Sequence, residues 1–463
     1  LLNGTEAMER FEEIPFPLHF KVRIFNVTNP DTVLSNGVPI MREVGPYVYR
    51  LQNRRIVEGF DEEEDLIKYN IRETFEFDAE ASYPYTEDDI VTVVNIPYHV
   101  SIYIFYFVFQ GILQMAEKVF PGLMFGLSLA LNGIFGEHNG PFLNVRIGDL
   151  LFDGIPICKN PGLVATIACG QIKTIGADVK NLREEEDGSL TFTLLDYVSV
   201  SFSIITYFTY EVYRGIADHT KLGIIAAYNG SSYVDYWVQP DNDNSMKNNT
   251  ETAEVSKGIC NMINGSDAAI FPPFVDRDNS IYLRYQYDTE YDGIPVARFA
   301  ANEWFLDNDE GCFCINETDG ITRDDGCLLN GAQELYSCVG AFLVMTYPHF
   351  LFADDIYRNG VLGMHPNVED HRIFVDLDPH TGTVVRGNKR AQFNLFLKPV
   401  SSIAATQNLR VTLAPIFWIE EVSAIVHTSS LLLILVYRQH LKILGINSIL
   451  LFNVPDMYFM IIG

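Results

Sequence analysis

The chain has 463 residues, 48% hydrophobic and 20% charged, which supports a large core and excludes intrinsic disorder. Acidic residues number 60 against 32 basic ones, for a formal net charge of -28. A surface of that sign disfavours nucleic acid and anionic lipid headgroups as partners and leaves apolar ligands open.

Strand signals begin early. Phe20 to Val27 (FKVRIFNV) alternates apolar and polar, which predicts a strand with one buried face. Ser35-Asn36-Gly37 marks a turn. Asp61 to Asp65 (DEEED) reads as a solvated loop, as does Glu184 to Asp187. Between them, Ile67, Tyr69, Ile71, Phe75 and Phe77 recur on one side of a second strand. Val100 to Phe109 is too short to cross a bilayer and reads as a buried strand or helix. Gly111 to Gly136 differs in kind. It is rich in Leu, Ala and Met, and Pro121-Gly122 splits it into two helical pieces. Leu123, Leu127 and Leu131 form a stripe, yet Met124, Phe125, Leu129 and Ala130 are apolar on the other sides. Such a helix is wholly buried or lines an apolar space. Strand alternation returns at Ile281, Leu283, Tyr285 and Tyr287, and again at Ile373, Val375 and Leu377. Asp292-Gly293 and His380-Thr381-Gly382 supply the turns. The reading is one β-rich antiparallel domain with a helical insertion.

Only two late segments are membrane candidates. Val422 to Tyr437 falls short of the ~20 apolar residues that span a bilayer. Ile443 to Gly463 carries Asn447, Asn453, Pro455 and Asp456. The chain opens on Leu1 without a signal-peptide pattern, so targeting residues are expected ahead of it.

The compartment follows from glycosylation signals. N-x-S/T sequons start at Asn3, Asn26, Asn229, Asn248, Asn264 and Asn316, and their spread favours a lumenal or extracellular chain. In that oxidising setting the seven cysteines are expected to pair, leaving an odd one. Zinc is the alternative for the Cys312–Cys338 cluster, although its spacing is not the usual paired C-x-x-C. Catalytic signatures are missing: the sequence has no G-x-S-x-G, H-E-x-x-H or Walker loop. Asp307 to Gly311 fails as a calcium loop, because Gly stands at the fifth position and Thr318 at the twelfth. His365, His371 and His380 share a segment at spacings that fit no familiar metal pattern. Binding or transport is favoured over catalysis, with no metal or cofactor.

Several separated blocks then stand out: IFNVTN from Ile24, EVGPYVY from Glu43, CNMINGSDAAIFPPF from Cys260 and GIPVARF from Gly293. YPHFLFA from Tyr347, PNVEDHRIFVDLDPHTGTVVRGNKRAQFN from Pro366 and APIFW from Ala414 complete the set. In this order they resemble the class B scavenger receptor family over about residues 10 to 420. Cys158, Cys169 and the stretch between them resemble its sensory neuron membrane protein branch. The resemblance implies an α+β, β-rich fold, with a large antiparallel β-barrel ectodomain spanning residues 1–421. It implies an apical helical bundle at about 100–150, an internal apolar tunnel, and a membrane helix at each end. One helix would precede residue 1, and the other would fall in the irregular apolar segment 422–463.

The implied function is a cell-membrane receptor, not an enzyme. It would capture pheromones or fatty-acid-derived odorants and channel them to the membrane or a neighbouring odorant receptor. Odorant-binding proteins are implied as further partners. The alternative is a general scavenger receptor for lipoproteins, lipids or apoptotic cells. Phe120, Leu123, Met124, Leu127, Leu131 and Phe135 are the candidate entrance lining. No Lys or Arg occurs from Pro121 to Asn144, and Val339 stands where fatty-acid-binding relatives carry a lysine, which tips the reading to small neutral lipophiles. The resemblance pairs Cys260 with Cys312 and Cys314 with Cys327, and Cys158 with Cys169 would close a third bridge. Cys338 stays unpaired, because about a dozen family residues near Ser280 are missing, its partner among them.

Overall fold

The computed structural model describes residues 1–14, 18–101, 130–175, 179, 181–195, 209–234, 236–237, 259–266, 270–274, 283–291, 293–308, 312–339, 341–400 and 403–424. Its strands are β1 (Leu18–Val27), β2 (Met41–Asp61), β3 (Leu66–Phe77), β4 (Ile90–Val94), β5 (Phe142–Arg146), β6 (Ile155–Ile157), β7 (Leu182–Glu184), β8 (Leu190–Phe192) and β9 (Thr209–Tyr213). They continue as β10 (Ile225–Tyr228), β11 (Leu283–Tyr291), β12 (Ile294–Ala301), β13 (Ala332–Glu334), β14 (Val344–Thr346), β15 (Phe374–Leu377), β16 (Val384–Leu397) and β17 (Thr412–Ala424). One antiparallel sheet dominates, in the order β10-β9-β3-β2-β1-β17-β16-β15-β12-β11, with β13 and β14 attached along β16. The first and last long strands, β1 and β17, pair from His19↔Val422 to Ile24↔Phe417. That pairing brings the two ends of the described chain to the same end of the sheet.

The antiparallel, β-rich expectation holds. The expected closed barrel is not found: among the described residues β10 and β11 remain separate edges. The sheet nevertheless curls. Glu73 on β3 feels the charges of Glu421 and Lys389, which lie three and four strands away. In a flat sheet those strands would sit roughly 14 and 19 Å off, at ~4.8 Å per strand.

Period-two alternation gives the sheet two distinct faces. Register places Leu18, Phe20 and Val22 on the inner face beside Leu51, Tyr49 and Tyr47 of β2, and Phe20 beside Glu421 of β17. This face carries the main core. The β4–β5 hairpin packs on β1 and β17, and Asn26 Oδ1 accepts the Thr92 amide at 2.7 Å. Tyr47 and Tyr49 are buried and donate their hydroxyls to Asp89 (3.2 Å) and Glu87 (3.1 Å), which satisfies polar tips that burial would otherwise strand.

The alternation breaks where a bulge intervenes. Tyr285 faces Phe299, but a register shift turns Tyr287 to the opposite side, where it is exposed. A bulge between Val22 and Ile24 likewise explains the glycine in EVGPYVY. Gly45 adopts φ +122, and a Cβ there would meet the Val22 carbonyl oxygen at 2.9 Å.

Candidate functional site

Where the hairpin layer ends, the inner face continues as an aromatic surface. Phe20 and Phe75 meet edge to face at 5.0 Å, and Phe393 stacks on Phe417 at 4.8 Å. Phe75 and Tyr49 also touch Phe152, which drops onto this face from the segment after β5. Phe393, Ala391, Ile419, Phe77 and Ile71 are only half-buried, although their strands are internal to the sheet. Near the chain ends the same face turns polar. Lys389 pairs with Glu421 at 3.3 Å, and the Asn53 amide donates to Glu73 at 3.3 Å.

The outer face is built differently. The segment 347–372 lies across it and covers a buried polar network. Glu43 accepts from the Trp418 indole at 2.8 Å and from His349 Nε2 at 2.6 Å. His349 Nδ1 accepts the His365 amide at 3.1 Å, which fixes the proton on Nε2. His371 stacks on His349 with centroids 4.4 Å apart, and its Nδ1 accepts the Asn367 amide. Arg23 lies 4.2 Å above Trp418. Burial, followed by the neighbouring His349, pushes the His371 pKa down to about 4. Burial works to raise the Glu43 carboxyl, but the His349 and Trp418 hydrogen bonds override it and hold the carboxyl below its ordinary range. Glu420 nearby gathers Lys21, Arg390 and Asn388, and the cations Lys21, Arg390 and Arg23 outweigh its burial and hold its carboxyl below the ordinary range. Farther along, Arg298 and Arg386 converge on the fully buried Asp376. These hydrogen bonds and ion pairs tie the segment to the sheet, and among the named groups the Asn388 Oδ1 is left buried without a partner.

The entrance candidates divide. Phe120, Leu123, Met124 and Leu127 lie outside the described residues, as does most of the segment 100–150 expected to be apical. Leu131 and Phe135 lie in the main core at 2% and 3% exposure, with Phe135 against Tyr98. The structure joins Cys158 to Cys169, Cys260 to Cys312, and Cys314 to Cys327. Cys338 falls in a helical turn, Tyr336–Val339, and its side chain lies outside the described residues. Asn3, Asn229, Asn264 and Asn316 are exposed, Asn26 is half-buried beneath β4, and Asn248 lies outside the described residues. Of the three histidines read as a set, His371 is buried in the network, while His380 sits exposed in a turn beside Asp378. His349 and Glu43 went unnoticed in the sequence, and so did Glu73, Lys389 and Glu421. A signal existed for the last two: each is a charge on a strand two residues from an apolar side chain, Ala391 for Lys389 and Ile419 for Glu421. Among the described residues no cluster of three or more His, Cys, Asp or Glu is placed to hold a metal, and no helix is long and apolar enough to cross a membrane.

Comparison with known proteins is consistent from end to end. A family model described as CD36 family matches residues 1–455. Sensory neuron membrane protein 2 of Drosophila melanogaster is 34% identical over 476 residues, covering 90% of this chain and 82% of the relative. The Aedes aegypti protein of the same name is 32% identical, covering 91% and 84%. Sensory neuron membrane protein 1 of Apis mellifera is 28% identical, covering 91% and 76%.

Proposed function

Because the chain belongs to the CD36 family, the class B scavenger receptors, we propose that it is a cell-surface receptor that binds lipophilic molecules along its inner face and passes them to the membrane. The observation that carries this reading is the half-buried apolar strip of Phe393, Ala391, Ile419, Phe77 and Ile71, which borders the buried Phe20–Phe75 pair and the buried Phe417. Internal strands normally bury such residues completely, because exposed apolar area costs about 25 cal/mol per Å². A long apolar chain laid on the strip would recover that cost. In this reading the ectodomain spans residues 1–421, the curled sheet forms one wall of an apolar tunnel, and helices at about 100–150 form its entrance. Membrane helices flank the ectodomain on both sides, and the receptor faces the outside of the cell.

The relatives' names, sensory neuron membrane proteins, support a sensory role. Pheromones or fatty-acid-derived odorants are the cargo in this reading. An odorant receptor and odorant-binding proteins would be the neighbours that receive and deliver it. The acidic chain, with its net charge of -28, disfavours the alternative cargo of anionic lipoproteins. The test uses delipidated protein and a fluorescent long-chain ester. Saturable binding, followed by transfer of the ester to acceptor vesicles, is expected. A folded protein that neither binds nor transfers the ester refutes the reading.

A further inference from the structure

On the outer face, beside the edge strand β11 and the helical turn Val368–His371, a cleft of about 320 Å³ opens to solvent. Arg298 lies deep in its lining at 7% exposure, with its guanidinium carbon 3.8 Å from the Phe374 ring centre. Its Nε and Nη2 grip Asp376, so Nη1 stands on the side turned away from that carboxylate. Arg372, also in the lining, gives Nε to the Ala301 carbonyl and Nη1 to the Gln286 side chain. Among the described residues Arg298 Nη1 and Arg372 Nη2 have no hydrogen-bond partner. Two guanidinium groups thus each bring a spare donor nitrogen to one cleft. The mouth has the opposite character. Tyr287 and Val368 are 47% and 44% exposed, and the exposed Glu369 is the lone carboxylate of the lining. The other charges close by have their own partners: Arg386 shares the fully buried Asp376, Arg390 pairs with Glu420, and the exposed Asp370 acts on Arg390. Arg284 is exposed on β11 opposite Ala300, outside the lining.

We propose that this cleft binds a quaternary-ammonium zwitterion, its singly charged oxyanion on Arg298 and Arg372 and its trimethylammonium against Tyr287, Val368 and Glu369. Guanidinium groups bind carboxylate and phosphate oxygens through charge-assisted hydrogen bonds. A dianion fits poorly, because Asp376 lies beneath Arg298 and Glu369 stands at the mouth. A trimethylammonium has no N–H to satisfy, and an aromatic face and a carboxylate both attract it. A primary ammonium brings three donors, and the mouth offers one carboxylate to receive them. Register also gives the place: Arg298, Asp376, Arg386 and Ala424 form one row across β12, β15, β16 and β17, level with the end of the described chain. In the receptor reading that end leads to a membrane helix, so a phosphocholine lipid headgroup and a free betaine are both sources of this chemistry. The cleft lies on the face opposite the apolar strip, so the inference goes beyond the inner-face reading and does not depend on it.

The experiment uses the full chain, delipidated and held in an uncharged maltoside detergent, with glycine betaine as the probe. Saturation-transfer NMR reads its methyl protons. A saturable signal is expected, and acetate or tetramethylammonium, each carrying half of the chemistry, should compete at least about ten-fold more weakly than unlabelled betaine does. Arg372→Gln should weaken betaine about ten-fold. Glu369→Gln and Tyr287→Ser should each weaken it about three-fold, while acetate competes no worse than in the wild type. Both of these change exposed side chains, so an unchanged urea midpoint separates lost binding from lost fold. Displacement of betaine by dihexanoylphosphatidylcholine below its micelle concentration assigns the lipid headgroup as the source. Its failure to displace assigns a free zwitterion, and the site stands in either case. A signal that does not saturate, acetate or tetramethylammonium competing as well as betaine, or wild-type binding by both Glu369→Gln and Tyr287→Ser overturns the site and leaves the inner-face reading untouched.

Discussion

Acid should loosen this protein, and the size of the effect follows from two buried histidines. His99 and His371 are 2% and 6% exposed, and burial is the leading cause that holds the pKa of each at about 4. An ordinary histidine titrates near 6.5. An unfolded chain therefore binds more protons than the folded one between pH 6.5 and 4. Stability is complete above that window, falls through it, and stops falling once both states are protonated. At pH 5 each histidine lies about 1.5 units below its unfolded value, or about 2 kcal/mol at 1.36 kcal/mol per unit, so the pair costs roughly 4 kcal/mol. The groups facing His371 act in the same cluster: His349, Arg390 and Arg23 oppose its protonation, and Glu43 favours it. Below this window Glu43 and Glu420 continue the trend. Their carboxyls are held low in the fold, so the stability they contribute is lost as pH falls through those lowered values. Urea melts at constant ionic strength, followed by tryptophan fluorescence with Trp418 as the local reporter, measure the effect. The midpoint should fall steadily from pH 7 to 5, and His371→Phe should remove about half of that slope. A midpoint flat across the range, or a His371→Phe protein with the full wild-type slope, would refute the reasoning.

Three further outcomes follow from the fold. Glycan mapping by mass spectrometry should find Asn229, Asn264 and Asn316 occupied and Asn26 bare, because Asn26 lies under β4 with its amide oxygen bound to Thr92; a glycan on Asn26 in folded protein would contradict the β1–β4 packing. Replacing both Cys260 and Cys312 by Ala should cost about 4 kcal/mol, and replacing Cys314 and Cys327 about 3 kcal/mol, since the chain-entropy model weights the longer loop more; equal or reversed losses in denaturant melts would argue against that account. Glu334 is 1% exposed and accepts the backbone amides of Asn316, Glu317 and Thr318, so Glu334→Ala should destabilise by roughly 3 kcal/mol and speed proteolysis of that loop, whereas wild-type protease resistance would show the loop is held otherwise.

Strand content was legible because the period-two signal is local. FKVRIFNV lies within β1, and Ile67, Tyr69 and Phe75 are buried on one side of β3 as their spacing implies. The alternation that began at Tyr285 misplaced Tyr287, because one extra residue in a bulge reverses every side chain beyond it and leaves no mark in composition. The blocks that carry the family resemblance also acquire a physical reason. Glu43, His349, His371 and Trp418 come from four of them and meet in one hydrogen-bonded cluster. No single segment shows that cluster, since its members are separated by as many as 375 positions. The inner-face charges were hidden in another way. Lys389 and Glu421 look like ordinary solvated residues until register places Glu421 beside Phe20 and Lys389 beside Glu421, and the curl of the sheet brings both near Glu73.

The central claim is that apolar ligands lie along the inner face of the curled sheet. Photolabelling with a diazirine-bearing long-chain ester, followed by peptide mapping, tests it most directly. Adducts should concentrate on peptides that carry Phe20, Phe75, Phe393 and Phe417, and excess unlabelled ester should compete them away. Adducts confined to outer-face peptides, such as those with Arg54 or Tyr287, or adducts that unlabelled ester does not reduce, would contradict the account.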